Sequence, residues 1–389
     1  MVRRRRPPRG PGVGDLVLPY GRQSVSEDDV EAVTAILRGD WLTTGPTVEA
    51  FERALSDLVG GHRAVSCTSG TAALHIAYAA AGVGAGDEVV TTPMTFVATA
   101  SGASLLGAKV VFADVDPDTA LIDPAAVDAL VTDRTKVVAA VDYAGQPADY
   151  AALQPIADRV GALTLADAAH SIGGFAGGRP VGDLADLTTL SFFPTKNLTT
   201  GEGGAVVAKD AVVAQRAHEF HFVGLMRDPD RFRITDEGPW HQEVHEFGLN
   251  YRLTDLQCAF GLSQLKRLAG FKQRRAEITA RYNSALAGVD GLRLPVQRAG
   301  VDPAWHLYPV RILEDRRREV FEKMRAGGIG VQVNYIPVYW HPVYADLGYR
   351  RGMCPNAEAF YAEELSLPLF PDLTDDQVDQ VVETLIGVL

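Results

Sequence analysis

The chain has 389 residues, of which 47% are hydrophobic and 22% are charged. This is the composition of a folded globular protein, and it excludes a largely disordered or collagen-like chain. The formal net charge of −12 argues against a nucleic-acid partner, and no apolar stretch reaches the roughly 20 residues that a membrane span requires. We therefore expect neither nucleic acid nor membrane as a partner. Cys67, Cys258 and Cys354 show no CxxC spacing, which favours a reducing, cytoplasmic location.

The length predicts about two domains. Residues 1–14 contain five arginines among prolines and glycines, and no apolar segment follows them, so we interpret them as a disordered Arg-rich leader rather than a secretory signal. Residues 15–265 are predicted to form a large domain, and residues 266–389 a smaller C-terminal α+β domain. The division follows one long helix, expected to begin near Thr254 and to continue to Gly270.

The first predicted elements are two helices, one that begins at a capping box on Ser26 and one from Thr47 through Leu58. After them, short apolar runs alternate with alanine-rich or turn-rich segments as far as about residue 210. This alternation predicts an α/β fold with a large, mixed but mostly parallel sheet and helices on both faces. The runs predicted as strands are residues 89–92, 110–112, 137–141, 163–166, 188–192 and 205–208.

Ligand crevices in such sheets open at the carboxyl ends of the strands, so the polar residues that end the strand-like runs are the candidate site. Ser69, Gly70 and Thr71 stand where a loop enters a helix, and free backbone N–H groups at a helix start favour a phosphate. A purely structural helix cap explains the same residues.

Asp167 ends an apolar strand, where a carboxylate is costly to bury unless it meets a cation such as a protonated heterocyclic nitrogen. A helix N-cap is the alternative interpretation. Lysines are few in this chain, and Lys196 alone follows an apolar strand and precedes a glycine-rich loop. A desolvated lysine can form a Schiff base, whereas a surface lysine has no such role.

A phosphate cradle, a strand-end aspartate and a Schiff-base lysine together indicate pyridoxal phosphate (PLP), which needs all three. Phe96 could supply a flat face for the ring of this cofactor. Asn250 and Arg252, in a polar cluster ahead of the helix expected at Thr254, offer further phosphate donors.

At these residues the chain resembles the DegT/DnrJ/EryC1/StrS family of fold-type I, aspartate aminotransferase-like enzymes, from Leu18 onward. The resemblance implies PLP, L-glutamate as amino donor, a nucleotide-linked keto-sugar as acceptor, and a homodimer with shared active sites. Within the family the chain is similar to the UDP-4-amino-4,6-dideoxy-N-acetyl-beta-L-altrosamine transaminase branch, which aminates UDP-4-keto-6-deoxy-N-acetyl-hexosamines at C4. The segments that resemble the family are residues 42–46, 69–74, 167–170, 191–196, 201–204 and 250–252. Those that resemble this branch are residues 146–147, 237–240, 255–259, 305–308 and 366–369.

The resemblance also implies a role for each matching residue. Lys196 and Asp167 are the catalytic pair, with Lys196 holding the cofactor covalently and Asp167 pairing with its ring nitrogen. His170 contacts the cofactor ring or its phenolic oxygen, and Asn250 reaches the phosphate from the neighbouring subunit. Ser69, Gly70, Thr71 and Ser191 are the other expected phosphate ligands, and Arg252, His306 and Tyr335 are expected to bind substrate.

Two residues depart from that branch, which carries histidines where this chain has Asn334 and Tyr339. Both positions are expected near the nucleotide-sugar, so a keto-cyclitol or a dTDP-keto-sugar stays an alternative acceptor. The related dehydratases replace the lysine that Lys196 supplies, and a non-enzymatic regulator would not need the full set of cofactor residues. No metal is expected, although His218 with His221 and His241 with His245 show a helical spacing.

Overall fold

The computed structural model describes residues 18–389, so the predicted leader at residues 1–14 lies outside the described residues. The first half contains α1 (Glu27–Leu37), α2 (Pro46–Leu58), β1 (Arg63–Cys67), α3 (Gly70–Ala80), β2 (Glu88–Thr91), α4 (Ala98–Leu105), β3 (Lys109–Phe112), α5 (Pro124–Asp128), β4 (Thr135–Val141), α6 (Tyr150–Val160), β5 (Leu163–Asp167), β6 (Phe175–Ala176), β7 (Arg179–Pro180), β8 (Leu187–Ser191) and β9 (Gly204–Ala208).

The second half contains α7 (Ala211–Phe220), β10 (Leu225–Met226), β11 (Glu243–Val244), α8 (Asp255–Leu265), α9 (Leu268–Ala285), β12 (Leu292–Arg293), β13 (Val301–Asp302), β14 (Tyr308–Ile312), α10 (Arg317–Ala326), α11 (Pro342–Asp346), α12 (Pro355–Glu363), β15 (Glu364–Leu367) and α13 (Asp375–Val388). In the described part of the chain, no helix is both long and apolar enough to cross a membrane.

A seven-stranded sheet in the order β1-β9-β8-β5-β4-β2-β3 forms the centre of the fold. Strands β8, β5, β4, β2 and β3 run parallel, whereas β9 is antiparallel to both of its neighbours. Every residue of β8 and β9 is buried, as expected for a sheet covered by helices on both faces. The predicted mixed, mostly parallel sheet is therefore confirmed, and the parallel strands bring several carboxyl ends to one edge.

All six predicted strands exist, with ends that differ by one or two residues. The sequence analysis missed β1, because its five residues, Arg63 to Cys67, include an arginine and a serine and show little apolar alternation. Strand β1 forms one edge of the sheet and leads directly into the loop that carries Ser69.

The single long helix predicted from Thr254 to Gly270 is wrong. Thr254 caps α8 as expected, but α8 ends at Leu265 and a separate helix, α9, begins at Leu268. Gly270 lies inside α9 rather than beyond its end, and a Cβ there would meet no atom within 4 Å. An isolated glycine therefore costs helix stability without ending the helix.

A second, three-stranded antiparallel sheet in the order β12-β14-β15 lies in the C-terminal part of the chain. Helix α10 packs on β14 and β15, α12 packs on β14, and α13 packs against both α9 and α10. Strand β14 is fully buried, and so is β15. This is the expected α+β composition, while the domain boundary at residue 265 stays a prediction.

Candidate active site

A cavity of about 430 Å³ opens at the carboxyl ends of the parallel strands. Strands β5 and β8 end in it with Asp167 and Ser191, and the start of α3 closes one side. Its lining includes nine predicted site residues, Ser69, Gly70, Thr71, Phe96, Asp167, His170, Ser191, Lys196 and Tyr335, together with the predicted substrate residue His306. Residues that are far apart in the sequence thus meet at one edge of the sheet.

The predicted phosphate cradle is present at the N-terminus of α3. The Ser69 hydroxyl accepts a hydrogen bond from the backbone N–H of Ala72 at 3.1 Å, so this serine is also a helix cap. Among residues 18–389, no acceptor is in hydrogen-bond range of the N–H groups of Gly70 and Thr71. Ser191 lies so close that a Cβ on Gly70 would stand 2.8 Å from its Cβ and 2.9 Å from its Oγ. Glycine at position 70 therefore lets the Ser191 hydroxyl and these free N–H groups face one anion.

Asp167 is 6% exposed at the end of β5, which makes its carboxylate an expensive group to bury. The Thr99 hydroxyl donates to Oδ2 at 2.7 Å, and the N–H of Ala169 donates to Oδ1 at 3.2 Å. Burial raises the pKa of Asp167, while these hydrogen bonds and the positive charge of Lys196 oppose the shift. The protein's own hydrogen bonds offset only part of the cost of burying the Asp167 carboxylate. A protonated ring nitrogen in the cavity would offset the rest.

Lys196 lies in the loop after β8, with its backbone N–H bonded to the carbonyl oxygen of Phe193 at 2.9 Å. Burial lowers the pKa of its amine to about 8, and the charge of Asp167 opposes that shift. In the described part of the chain, no carboxylate lies within 4 Å of this amine. The lysine therefore has a substantial neutral fraction near pH 8, which is the nucleophilic form.

His170 and His306 form a pair beside the lysine. Their ring centroids are 4.4 Å apart, and Nε2 of His170 lies 3.1 Å from the Tyr335 hydroxyl. Burial, and then the charge of Lys196, holds the pKa of His170 well below its usual range, and burial does the same to the pKa of His306. Both Nδ1 atoms are buried without a hydrogen-bond partner among residues 18–389. Both imidazoles are therefore neutral at the cavity, and each keeps one buried nitrogen that no protein group among residues 18–389 pairs.

Phe96 lines the cavity, with 58% of its surface exposed and its ring 6.3 Å from that of Tyr335. The position fits the predicted aromatic face for a cofactor ring.

Asn250 and Arg252 are the two predicted site residues that do not line the cavity. Asn250 is exposed, and its backbone pairs with Phe222. The Arg252 guanidinium lies over the Phe222 ring at 4.3 Å, and its backbone pairs with Cys67. Neither residue therefore contributes to the cavity of its own chain. That both act in the cavity of a second subunit stays a prediction.

Three residues of the site were missed from the sequence. Thr99 bonds Asp167, Tyr20 lines the cavity from near the beginning of the described chain, and Asn197 donates to the carbonyl oxygens of His170 and Ala304 at 3.1 and 2.7 Å. Threonine and asparagine are common helix and turn residues, so nothing in their local sequence distinguishes these two. Asn197 directly follows Lys196, and this position next to the catalytic lysine is the only feature of the sequence that could have indicated its role.

Asn334 and Tyr339, which stand where the altrosamine transaminase branch carries histidines, lie in different surroundings. Asn334 lines the cavity, as expected. The expectation for Tyr339 is wrong, because this side chain is 1% exposed and its hydroxyl donates to Glu358 at 2.6 Å rather than facing the cavity.

Three of the four histidines in the pairs outside the cavity have protein partners, while Nδ1 of His218 is buried without one among residues 18–389. Nδ1 of His221 contacts the carbonyl oxygen of His218, and Nε2 of both His241 and His245 contacts the Glu243 carboxylate. Within residues 18–389, no group of three or more histidine, cysteine, aspartate or glutamate side chains is arranged to hold a metal ion.

The cavity fits PLP on the evidence of its own atoms. Free N–H groups with Ser191 suit a phosphate, Asp167 suits a protonated ring nitrogen, and Lys196 suits an aldehyde. His170 and His306 also line the cavity, and their imidazoles are held neutral there.

Comparison with known proteins agrees with this chemistry. Residues 23–386 match the model of the DegT/DnrJ/EryC1/StrS aminotransferase family. The spore coat polysaccharide biosynthesis protein SpsC of Bacillus subtilis (strain 168) is 39% identical over 378 residues, which cover 96% of this chain and 97% of that one.

Two solved structures resemble the chain closely. The PLP form of Spr1654 from Streptococcus pneumoniae has a TM-score of 0.89 at 29% identity, and Helicobacter pylori PseC, an aminotransferase involved in the biosynthesis of pseudoaminic acid, has a TM-score of 0.88 at 29% identity. Both comparisons cover 95% of this chain and 98% of the other. The chain therefore belongs to the DegT/DnrJ/EryC1/StrS family and is a fold-type I, PLP-dependent sugar aminotransferase.

Proposed function

We propose that the chain transfers an amino group from L-glutamate to a nucleotide-linked keto-sugar, with UDP-4-keto-6-deoxy-N-acetyl-hexosamine aminated at C4 as the acceptor. The observation that carries the reaction is the convergence of Lys196, Asp167 and the Ser69–Ser191 cradle in one cavity. Support for the acceptor comes from the likeness over nearly the full chain to PseC, whose pathway makes pseudoaminic acid, and from the polysaccharide role of SpsC.

Each residue of the site has a defined task in this reaction. PLP, when bound, supplies an electron sink that stabilises negative charge on the carbon next to the transferred amine. The free N–H groups of Gly70 and Thr71 bind and orient its phosphate, and Asp167 keeps a proton on its ring nitrogen. Nζ of Lys196, about half neutral at pH 8, would take the proton from the α-carbon of the donor and pass it to the bound cofactor. In the second half-reaction it would take a proton from the cofactor and deliver it to the acceptor carbon.

The experiment begins with the visible absorption spectrum of the purified protein before and after L-glutamate. We expect a yellow cofactor band that bleaches as the cofactor is aminated. The bleached enzyme is then mixed with a panel of keto compounds, comprising the UDP-4-keto-6-deoxy-N-acetyl-hexosamine, a dTDP-4-keto-6-deoxy-hexose and a keto-cyclitol. Recovery of the band with the UDP compound alone supports the proposed acceptor, and a protein that stays colourless with added PLP contradicts the whole reaction.

A keto-cyclitol or a dTDP-keto-sugar is the second candidate acceptor. Asn334 favours it, because this cavity residue stands where the resembling branch carries a histidine. Recovery of the band with the dTDP compound, or with the cyclitol and no nucleotide at all, would select this candidate over the UDP compound.

We further propose that the enzyme is a homodimer in which Asn250 and Arg252 serve the cavity of the other subunit. Both lie outside the cavity of their own chain, on a part of the surface that also exposes Phe247 and Leu249. Mixing inactive Lys196→Ala protein with Asn250→Ala protein, then refolding them together, tests this. Activity in the mixture above that of either variant supports shared sites, because one cavity in each mixed dimer would be intact; no gain contradicts them.

A further inference from the structure

Residues 332–335 form the wall of the cavity that the cofactor residues do not supply. Gln332, Asn334 and Tyr335 all line the cavity. The segment is attached to β15, since Gln332 and Ser366 exchange backbone hydrogen bonds of 3.2 and 2.8 Å. The position of the wall therefore depends on the C-terminal sheet rather than on the seven-stranded sheet.

Side chains, rather than strand partners, hold the backbone of Asn334. Its N–H donates to Oε2 of Glu364 at 2.6 Å, and its carbonyl oxygen accepts from the Tyr143 hydroxyl, also at 2.6 Å. Because buried backbone groups must be paired, loss of the Glu364 carboxylate would leave a buried N–H without a partner.

The same carboxylate begins a chain of polar side chains that ends in the cavity. The Ser366 hydroxyl donates to Oε1 of Glu364, and Nδ2 of Asn334 donates to the Ser366 hydroxyl at 3.1 Å and to the Tyr20 hydroxyl at 2.8 Å. Both amide hydrogens of Asn334 are thereby used. Its amide oxygen has no hydrogen-bond partner among residues 18–389, and Asn334 lines the cavity together with Tyr20. This arrangement leaves one acceptor for a ligand beside the Tyr20 hydroxyl.

Glu364 itself is completely buried and does not line the cavity. In the described chain it has no ion-pair partner within 4 Å, and the guanidinium of Arg317, whose charge acts on it, donates to the carbonyl oxygen of Tyr361. Burial raises the pKa of Glu364 to about 8. Hydrogen bonds from the Ser366 hydroxyl and the N–H of Asn334, rather than an ion pair, therefore compensate the burial of this group.

We propose that Glu364 is a positioning residue that determines acceptor specificity by fixing Asn334 and Tyr20 against the acceptor sugar. The inference rests on the proposed function, because it assigns a wall of the same cavity to the second substrate. Glu364 acts through Asn334 and Ser366 and touches no substrate. The cofactor residues Ser69, Asp167, Ser191 and Lys196 are not connected to this chain of hydrogen bonds.

The test replaces Glu364→Gln in the holoenzyme and measures both half-reactions separately. Because burial raises the pKa of Glu364 to about 8, both half-reactions are measured at pH 9, where the ionised carboxylate predominates. Glutamine has nearly the same shape, but its single side-chain oxygen cannot accept from both Ser366 and the N–H of Asn334, as the carboxylate does. We expect bleaching by L-glutamate to stay within about twofold of the wild-type rate, while KM for the acceptor rises about tenfold, the usual effect of one hydrogen bond to a charged group. The acceptor is whichever compound of the panel the wild type aminates.

Glu363→Gln is the matched control. Glu363 precedes Glu364 but pairs with Arg311 at 2.7 Å and has no bond to the wall, so both half-reactions should keep their wild-type values. Ser366→Ala, which cuts the chain of hydrogen bonds one residue later, should reproduce the rise in KM, and it serves alone if Glu364→Gln does not fold.

Three outcomes contradict the proposal in different ways. An unchanged acceptor KM in Glu364→Gln and Ser366→Ala would overturn the positioning role while leaving the proposed function intact. An equal loss in both half-reactions would assign Glu364 a merely structural role. A wild type that bleaches with glutamate but aminates no compound of the panel would overturn the proposed acceptor, and the positioning role with it.

Discussion

The cavity has a cofactor side, with Ser69, Asp167, Ser191 and Lys196, and an acceptor side, with Tyr20 and the wall at residues 332–335. The two sides are built in different ways. The cofactor side comes from one sheet and the loops at its edge, where strand ends deliver Asp167 and Ser191 and adjacent loops deliver Ser69 and Lys196. The acceptor side is assembled by hydrogen bonds between distant segments, such as that from Asn334 to Tyr20. The topology of the sheet therefore determines where the residues of the cofactor side lie, whereas tertiary contacts determine where those of the acceptor side lie. Variants on the cofactor side should therefore affect both half-reactions, and variants on the acceptor side only one.

Replacement of Lys196 should have the largest effect. Lys196→Ala removes the only amine in the described cavity, and we expect both half-reactions to fall by at least about 10⁴-fold, because this amine moves the proton in each. The measurement is single-turnover absorbance with glutamate and with the acceptor. Lys136→Ala, at the opposite end of β4 from the cavity, is the control and should keep wild-type rates. Wild-type rates in Lys196→Ala would exclude the assigned role.

Replacement of Asp167 should come next. Asp167→Ala keeps the cradle and Lys196, so PLP should still bind, but the ring nitrogen loses its anionic partner. We expect both half-reactions to slow by about 10²- to 10³-fold, the usual cost of losing one electrostatic stabiliser in a buried site. A loss confined to one half-reaction would contradict the idea that the cofactor side serves both substrates equally.

The cofactor side was easier to predict from the sequence than the acceptor side. Asp167 and Lys196 could be found because a charged residue at the end of an apolar strand is physically costly and therefore conspicuous. Glu364 could not, since it stands at the beginning of β15 in a segment with no chemical pattern. Its partner Asn334 lies 30 residues away, and Tyr20, which Asn334 contacts in turn, lies 344 residues away. The strands were predictable from apolar runs, whereas β1 and the break between α8 and α9 depend on packing that periodicity does not contain.

The pH dependence of cofactor capture tests the environment of Lys196. Because burial lowers the pKa of this amine to about 8, its neutral form increases about tenfold per pH unit below pH 8 and levels off above it. We expect the rate at which apoenzyme captures PLP to rise about 50-fold from pH 6 to pH 8 and then to plateau. The growth of the visible band after mixing measures this rate. A rate that still rises tenfold per unit beyond pH 9 would indicate an ordinary, solvated lysine.

Thr99 allows a smaller change on the cofactor side. Thr99→Val keeps the shape of the side chain but removes the hydroxyl that donates to Oδ2 of Asp167 at 2.7 Å. A hydrogen bond to a charged group corresponds to about a tenfold effect, so both half-reactions should slow by about that factor. Thr189→Val is a useful comparison, because the Thr189 hydroxyl also lies at the cavity but donates to the carbonyl oxygen of Ala166 at 3.4 Å instead.

The smallest effect on activity is expected at Tyr339, just outside the acceptor side. Its hydroxyl donates to Glu358 at 2.6 Å and accepts from the N–H of Cys354 at 3.1 Å, and it does not reach the cavity. Tyr339→Phe should therefore lower the free energy of unfolding by about 1–2 kcal/mol and leave the acceptor KM unchanged.

Tyr344→Phe is the matched control for that change. Tyr344 packs on the same Phe112 ring, but its buried hydroxyl has no hydrogen-bond partner among residues 18–389, so its removal should cost no stability. Denaturant unfolding of both variants and the acceptor KM of Tyr339→Phe are the measurements. The acceptor KM reports contacts with the substrate, whereas the unfolding midpoint reports buried contacts within the protein. An increase in the KM of Tyr339→Phe would therefore show that Tyr339 contacts the acceptor.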